Sequence, residues 1–194
     1  ANAILSIIDA GDEVIMLAPF WLAYETTVRF AGGTPVVLHS SISENYKVPA
    51  ARIAAAVTDR TKLLIVNSPC NPSGALWSRV ELEAISAIVL DHPGMMVLSD
   101  EIYEYIVFEG AVTSIGALPG MRDRTITVNG FSKGFAMTGW RLGYAAAVAP
   151  IAKAMMRIQG TITTGANQFV QRAAVEALEG PRDAVEAMRL RYKG

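Results

Sequence analysis

A chain of 194 residues, 52% hydrophobic and 18% charged, carries enough apolar material for one globular domain with a substantial core, which excludes a disordered or fibrous protein. Its 17 basic and 18 acidic residues are scattered for a formal net charge of −1, so no electrostatic footprint for nucleic acid or an anionic membrane surface exists, and small-molecule chemistry is favoured. The single cysteine, Cys70, excludes an internal disulfide and points to a reducing cytoplasm, while two distant histidines, His39 and His92, make no metal-site pattern.

The opening run Ala1–Asp9 reads as the body of an amphipathic helix without a cap or an initiating methionine, so a fragment beginning inside an element is expected. No apolar run reaches membrane-spanning length, and the start lacks the regions of a signal peptide. Short apolar runs then recur at Glu13–Ala18, Pro35–His39, Lys62–Asn67, Met95–Ser99, Thr125–Asn129 and Gly143–Val148, each predicted as a strand buried on both faces. Phe20–Ala31 is a predicted helix ended by Gly32-Gly33, and Pro49–Val57 a short alanine-rich one. Ser78 with Glu81 gives a capping-box signature for a helix through Leu90, stopped by His92-Pro93-Gly94.

The tail is helical over Ile151–Gly160, Gln168–Leu178 and Pro181–Tyr192, with Thr163-Thr164-Gly165 as a loop turn and Gly180-Pro181 as a break. Alternating strands and helices predict an α/β fold in three layers, α/β/α, around a mostly parallel and incomplete sheet. Residues 1–180 are read as a large domain lacking its start, and 181–194 as a helix leading to a second domain.

In open α/β sheets ligands bind beyond the carboxyl ends of the strands, so the residues following each run are the candidates. Ala18 is followed by Pro19-Phe20-Trp21, Asn67 by Ser68 through Gly74, Ser99 by Asp100-Glu101-Ile102-Tyr103, and Asn129 by Gly130-Phe131-Ser132-Lys133. Alone, Lys133 would be a solvated loop residue. With a hydroxyl beside it and Arg141 eight positions on, it suits an amine that attacks a carbonyl near a bound phosphate, and pyridoxal phosphate carries both groups.

The other residues match that cofactor's needs. Asp100 can keep the ring nitrogen protonated by charge pairing, Tyr103 and Asn71 can donate to the ring hydroxyl, and Trp21 can stack on the ring. Ser132 and Arg141 offer donors to the phosphate. Trp21 and Tyr24, three apart on the predicted helix, could equally be core packing; Trp21 is assigned to the cofactor and Tyr24 is not. Glu101 is read as structural, and Cys70 and the histidines are given no chemistry.

The segments Asn71-Pro72-Ser73-Gly74, Asp100-Glu101-Ile102-Tyr103, and Ser132-Lys133 with Gly139-Trp140-Arg141-Leu142-Gly143-Tyr144 resemble, in order and separation, the fold-type I pyridoxal-phosphate enzymes, specifically the class I and II aminotransferases of aspartate-aminotransferase type. The resemblance runs from about Gly11 to the helices near Leu178. It implies that Lys133 is the internal-aldimine lysine and proton carrier, and that Asp100 pairs with the pyridine nitrogen. By the same resemblance Tyr103 and Asn71 contact the ring hydroxyl, Trp21 stacks, and Ser132 and Arg141 hold phosphate.

It further implies transfer of an amino group from an L-amino acid to a 2-oxo acid by a cytoplasmic homodimer. Many relatives have serine where this chain has Gly130, and their phosphate loop and carboxylate-binding arginine would lie outside the 194 residues, so the chain alone is expected to be inactive. Two alternatives share the motifs. One is a pyridoxal-phosphate-dependent β/γ-lyase or aminocyclopropane-carboxylate synthase-like enzyme; the other is a non-catalytic aminotransferase-like effector domain of a transcription regulator.

Overall fold

A computed structural model describes residues 1–193. Its elements in chain order are α1 (Asn2–Leu5), β1 (Glu13–Ala18), α2 (Ala23–Phe30), β2 (Thr34–His39), α3 (Ala50–Ala56), β3 (Thr61–Asn67), α4 (Arg79–Asp91), β4 (Met96–Asp100), β5 (Thr125–Gly130), β6 (Gly143–Ala146), α5 (Ala149–Ile162), α6 (Gln168–Glu179) and α7 (Asp183–Lys193). The strands form one sheet in the order β2-β1-β3-β4-β5-β6. The first five run parallel, and β6 is antiparallel to β5.

The three layers follow from the two-residue period of a strand. Ile15, Leu64, Val66 and Val97 face a core closed by Ile53 of α3 and by Leu82, Ile85 and Val89 of α4. Their neighbours Val14, Met16, Leu63, Ile65 and Leu98 face the opposite core, closed by Ile4 of α1, Tyr24 and Val28 of α2, and Met155 of α5. A strand that serves two cores must be apolar at every position, which is why β1 and β3 read as unbroken runs. Each fully buried aliphatic side chain contributes about 1.5–3 kcal/mol relative to exposure.

The local signals act as expected at several ends. Ser78 and Glu81 form the capping box of α4, with the Ser78 hydroxyl accepting from the Glu81 N–H, and α4 ends before His92. Gly32, at φ +87°, turns the chain out of α2 in a left-handed conformation that suits a residue without Cβ. Thr164, at φ 61°, and Gly165 form the turn after α5, and the Asn167 side chain caps α6. The break at Gly180-Pro181 separates α6 from α7, which starts two residues later than predicted.

Three expectations are corrected. The opening helix is one short turn, α1, because the Ser6 hydroxyl bonds back to the Ala3 carbonyl and the chain then leaves the helix. The second helix begins at Ala23 rather than Phe20, so Trp21 lies in the preceding turn, where its carbonyl accepts the Tyr24 N–H at 3.0 Å. The outer strands are not buried on both faces: β2 is only partly covered, and all four residues of β6 are exposed. Each has one neighbouring strand, β1 or β5 respectively, and so lacks the flanking strands and paired helical layers of the sheet centre.

Candidate active site

Because β1, β3, β4 and β5 are parallel, their carboxyl ends lie along one rim. The sheet order places β2 on one side of β1 and all later strands on the other, so the rim has its switch point between β1 and β3, where such sheets form a crevice. Since β6 runs antiparallel, its first residue, Gly143, pairs with Gly130 and returns the chain to the same rim.

Asp100 is the last residue of β4 and stands in register with Asn67 at the end of β3. The Asn67 amide donates to the Asp100 carbonyl at 2.9 Å, and its oxygen accepts the Asn71 N–H at 2.7 Å, so one side chain fixes the 67–74 loop to the strand end. The Asp100 carboxylate accepts the Tyr24 hydroxyl on Oδ2 at 2.5 Å and the Ile102 N–H on Oδ1 at 3.2 Å. Burial pushes its carboxyl above the usual range, opposed by those two donors and by the Ala1 amino group. The Tyr24 phenol is pushed up by its own burial and then by the Asp100 charge, so it remains a protonated donor.

Trp21 meets the Tyr24 ring edge-on, with centroids 5.5 Å apart and planes at 89°, and stays 53% exposed. A half-open indole beside a half-buried carboxylate is available to a flat ligand. The Asn71 side chain has no hydrogen-bond partner among the described residues, so it too is available.

At the other end of the rim the apolar residues hold the polar ones. Phe131 is buried, and its ring lies 5.3 Å from that of Phe135 and 5.8 Å from that of Tyr144. Its carbonyl accepts the Met137 N–H at 3.1 Å while the Lys133 carbonyl accepts the Ala136 N–H at 3.0 Å, closing a compact loop that presents Lys133 to solvent. The Lys133 ammonium sits 5.7 Å from the centre of the Tyr103 ring, so these two predicted residues meet.

Ser132 is half-buried beside Lys133. Arg141 is exposed in a left-handed conformation at φ 55°, and its Nη1 donates to the Thr138 carbonyl at 2.9 Å. Among the described residues no hydrogen bond joins Arg141 to Ser132 or Lys133.

The structure also accounts for two residues read as structural or strained. Glu101 is 6% exposed and accepts the Ser99 hydroxyl at 2.8 Å and the Ser114 hydroxyl at 2.6 Å, turned away from the rim. A Cβ on Gly130 would lie 3.0 Å from the Gly143 Cα and 3.0 Å from the Leu142 carbonyl oxygen, so the close approach of β5 and β6 favours a residue without a side chain at this position.

Two site residues were missed. Tyr24 was set aside as core packing, yet it touches Asp100; its spacing from Trp21 was the signal, and its partner lies 76 residues away. Asn67 carried a quieter signal, an amide closing an otherwise apolar strand and only 8% exposed.

A half-buried carboxylate, a phenol, free amide and indole groups, an exposed amine, a hydroxyl and a guanidinium on one rim suit a phosphorylated aromatic aldehyde. Comparison with known proteins agrees. The family described as aminotransferase class I and II matches residues 1–194. The chain is 48% identical over 178 residues to the bifunctional aspartate aminotransferase and glutamate/aspartate-prephenate aminotransferase of Petunia hybrida, covering 91% of this chain and 37% of that protein. It is 42% identical over 184 residues to the aspartate/prephenate aminotransferase of Cereibacter sphaeroides, covering 94% and 46%.

The crystal structure of the aspartate aminotransferase from Rhizobium meliloti superposes with a TM-score of 0.95 at 39% identity, covering 99% of this chain and 48% of that one. The chain therefore spans about half the length, or less, of the relatives it matches.

Proposed function

We propose, from the premise that this chain belongs to the class I and II aminotransferases, that it is the cofactor-binding part of an enzyme transferring an amino group from an L-amino acid to a 2-oxo acid with pyridoxal phosphate. The observation that carries this reading is the presence on one rim of a half-buried, hydrogen-bonded Asp100 and an exposed Lys133 over Tyr103. When bound, pyridoxal phosphate supplies an electron sink for the carbanion left at the amino-acid Cα.

Asp100 would hold the ring nitrogen's proton, Tyr103 and Asn71 the ring hydroxyl, Trp21 one face, and Ser132 with Arg141 the phosphate. Lys133 Nζ would take the proton from the substrate Cα as general base and pass it, as general acid, to the cofactor's imine carbon. Residues 1–180 form the cofactor domain in this reading, and 181–194 lead toward a second domain. A homodimer in a reducing cytoplasm completes it. The names of the relatives make aspartate the first amino donor to try, and the lyase and regulator alternatives gain no support from them.

The test begins with pyridoxal phosphate, borohydride and peptide mapping of the 194-residue chain. Modification of Lys133 is expected; modification only at other lysines would overturn the assignment. With the whole protein, aspartate plus a 2-oxo acid should yield the transaminated product, whereas pyruvate released from an amino acid with a β leaving group, without an acceptor, would establish the lyase instead.

A further inference from the structure

Tyr24 is the only side chain that donates to the Asp100 carboxylate among the described residues, across 76 positions of sequence. Its ring is 6% exposed and held by its neighbours: Trp21 packs edge-on at 5.5 Å, and Phe20 lies 6.5 Å away. Packing alone could be served by phenylalanine. A buried hydroxyl requires a partner, and here the partner is a carboxylate, an acceptor that strengthens the bond when ionised. The Ile102 N–H on the other oxygen is longer, at 3.2 Å.

We propose that Tyr24 is a positioning residue: its hydroxyl holds Asp100 ionised and fixed in direction inside a pocket where burial alone would favour the neutral acid. This rests on the proposed cofactor role of Asp100. Tyr24 touches no reacting atom, and it acts through the carboxylate.

The charged and titratable groups around Asp100 come from every neighbouring segment. Facing Asp100 are Tyr24 from α2, the Ala1 amino group ahead of α1 and Glu101 beyond β4, and facing Tyr24 are Cys70 after β3 and Tyr103 beyond β4. Glu101 is engaged with Ser99 and Ser114. Burial raises the Asp100 carboxyl, the Tyr24 hydrogen bond is the first of the influences that lower it, and the Ile102 N–H and Ala1 amino group follow. Removing the hydroxyl therefore shifts the balance toward protonated Asp100.

The experiment compares this chain with Tyr24→Phe, both carrying carbon-13-labelled aspartate carboxyls, in NMR titrations without cofactor. The Asp100 midpoint is expected to rise by about one pH unit in the variant, a tenfold gain in proton affinity. An unchanged midpoint in folded Tyr24→Phe overturns the proposal. If the variant does not fold, the unsubstituted chain still decides: a slowly exchanging Tyr24 hydroxyl proton should be visible and be lost in Asp100→Ala, which removes the acceptor, and its absence from the unsubstituted chain overturns the proposal.

Added pyridoxal phosphate gives a separate reading, in which the pH midpoint of the visible band should move in Tyr24→Phe. Failure of the chain to form that band would count against the cofactor assignment while leaving the cofactor-free titration as the test of Tyr24.

Discussion

At the carboxyl ends of β1, β3 and β4 the rim is closed upon itself: Tyr24 donates to Asp100, Asn67 ties Asp100 to the Asn71 loop, and burial surrounds them. In the connection from β5 to β6 the polar groups stand apart, with Lys133 exposed over Tyr103, and Arg141 exposed and bonded, among the described residues, to the Thr138 carbonyl. The difference follows from place in the sheet. Side chains at the ends of central strands are covered by helices and fixed by neighbours, whereas the connection from β5 to the edge strand β6 has no such cover and presents what it carries. In the proposed enzyme the first region sets the charge on the ring nitrogen, and the second delivers the amine that must move protons.

The comparison can be broken most decisively at Lys133. Lys133→Ala should abolish borohydride-stable labelling by pyridoxal phosphate while leaving the urea midpoint unchanged, because an exposed loop side chain contributes little to folding. A lysine variant that unfolds would show that the exposed region is built like the buried one. On the buried side, Asn67→Ala should destabilise by about 2 kcal/mol in urea denaturation, since the Asn71 N–H loses its acceptor and the Asp100 carbonyl loses a donor.

A smaller effect is expected at the base of the second region, where β5 and β6 meet by backbone contact. A Cβ on Gly143 would lie 2.9 Å from the Asn129 carbonyl oxygen, so Gly143→Ala should destabilise by about 1 kcal/mol and loosen the Lys133 loop, read as faster amide exchange over 131–137.

Acid–base behaviour sharpens the contrast further. Burial raises the carboxyl of Glu101 above its ordinary value, the Ser114 and Ser99 hydroxyls oppose this, and Glu104 and Asp100 add to it. The folded state then holds the proton more tightly than the unfolded chain, so stability falls as pH climbs from the ordinary carboxylate value through the raised one. Glu101→Gln should flatten that fall in thermal unfolding across the same window, leaving the similar contribution of Asp100. Smallest of all, Arg141→Ala should change stability by less than about 0.5 kcal/mol, while weakening the binding of pyridoxal phosphate relative to pyridoxal.

Much of this was legible beforehand, for reasons that can be stated residue by residue. The apolar runs at β1 and β3 announced strands serving two cores, Ser78 with Glu81 announced the start of α4, and Gly32 announced the end of α2. Lys133, Asp100, Tyr103 and Asn71 were legible because each follows a run whose end must reach a common rim. Tyr24 was not, because the helix on which it was placed begins later than its residues suggest, and nothing local names a partner 76 positions away. The exposure of β6 was also hidden, since Gly143–Ala146 is as apolar as a central strand.

By itself, then, the sequence determined the strands, several helix ends and the residue types delivered to the strand ends, because these depend on backbone propensity, side-chain period and capping within a few residues. Only the tertiary structure decided which strands lie at the edge, that Gly130 and Gly143 must meet without side chains, and that Tyr24 donates to Asp100. Those are contacts between segments far apart in the chain, and their energies depend on distance and burial that exist only once the sheet order has been set.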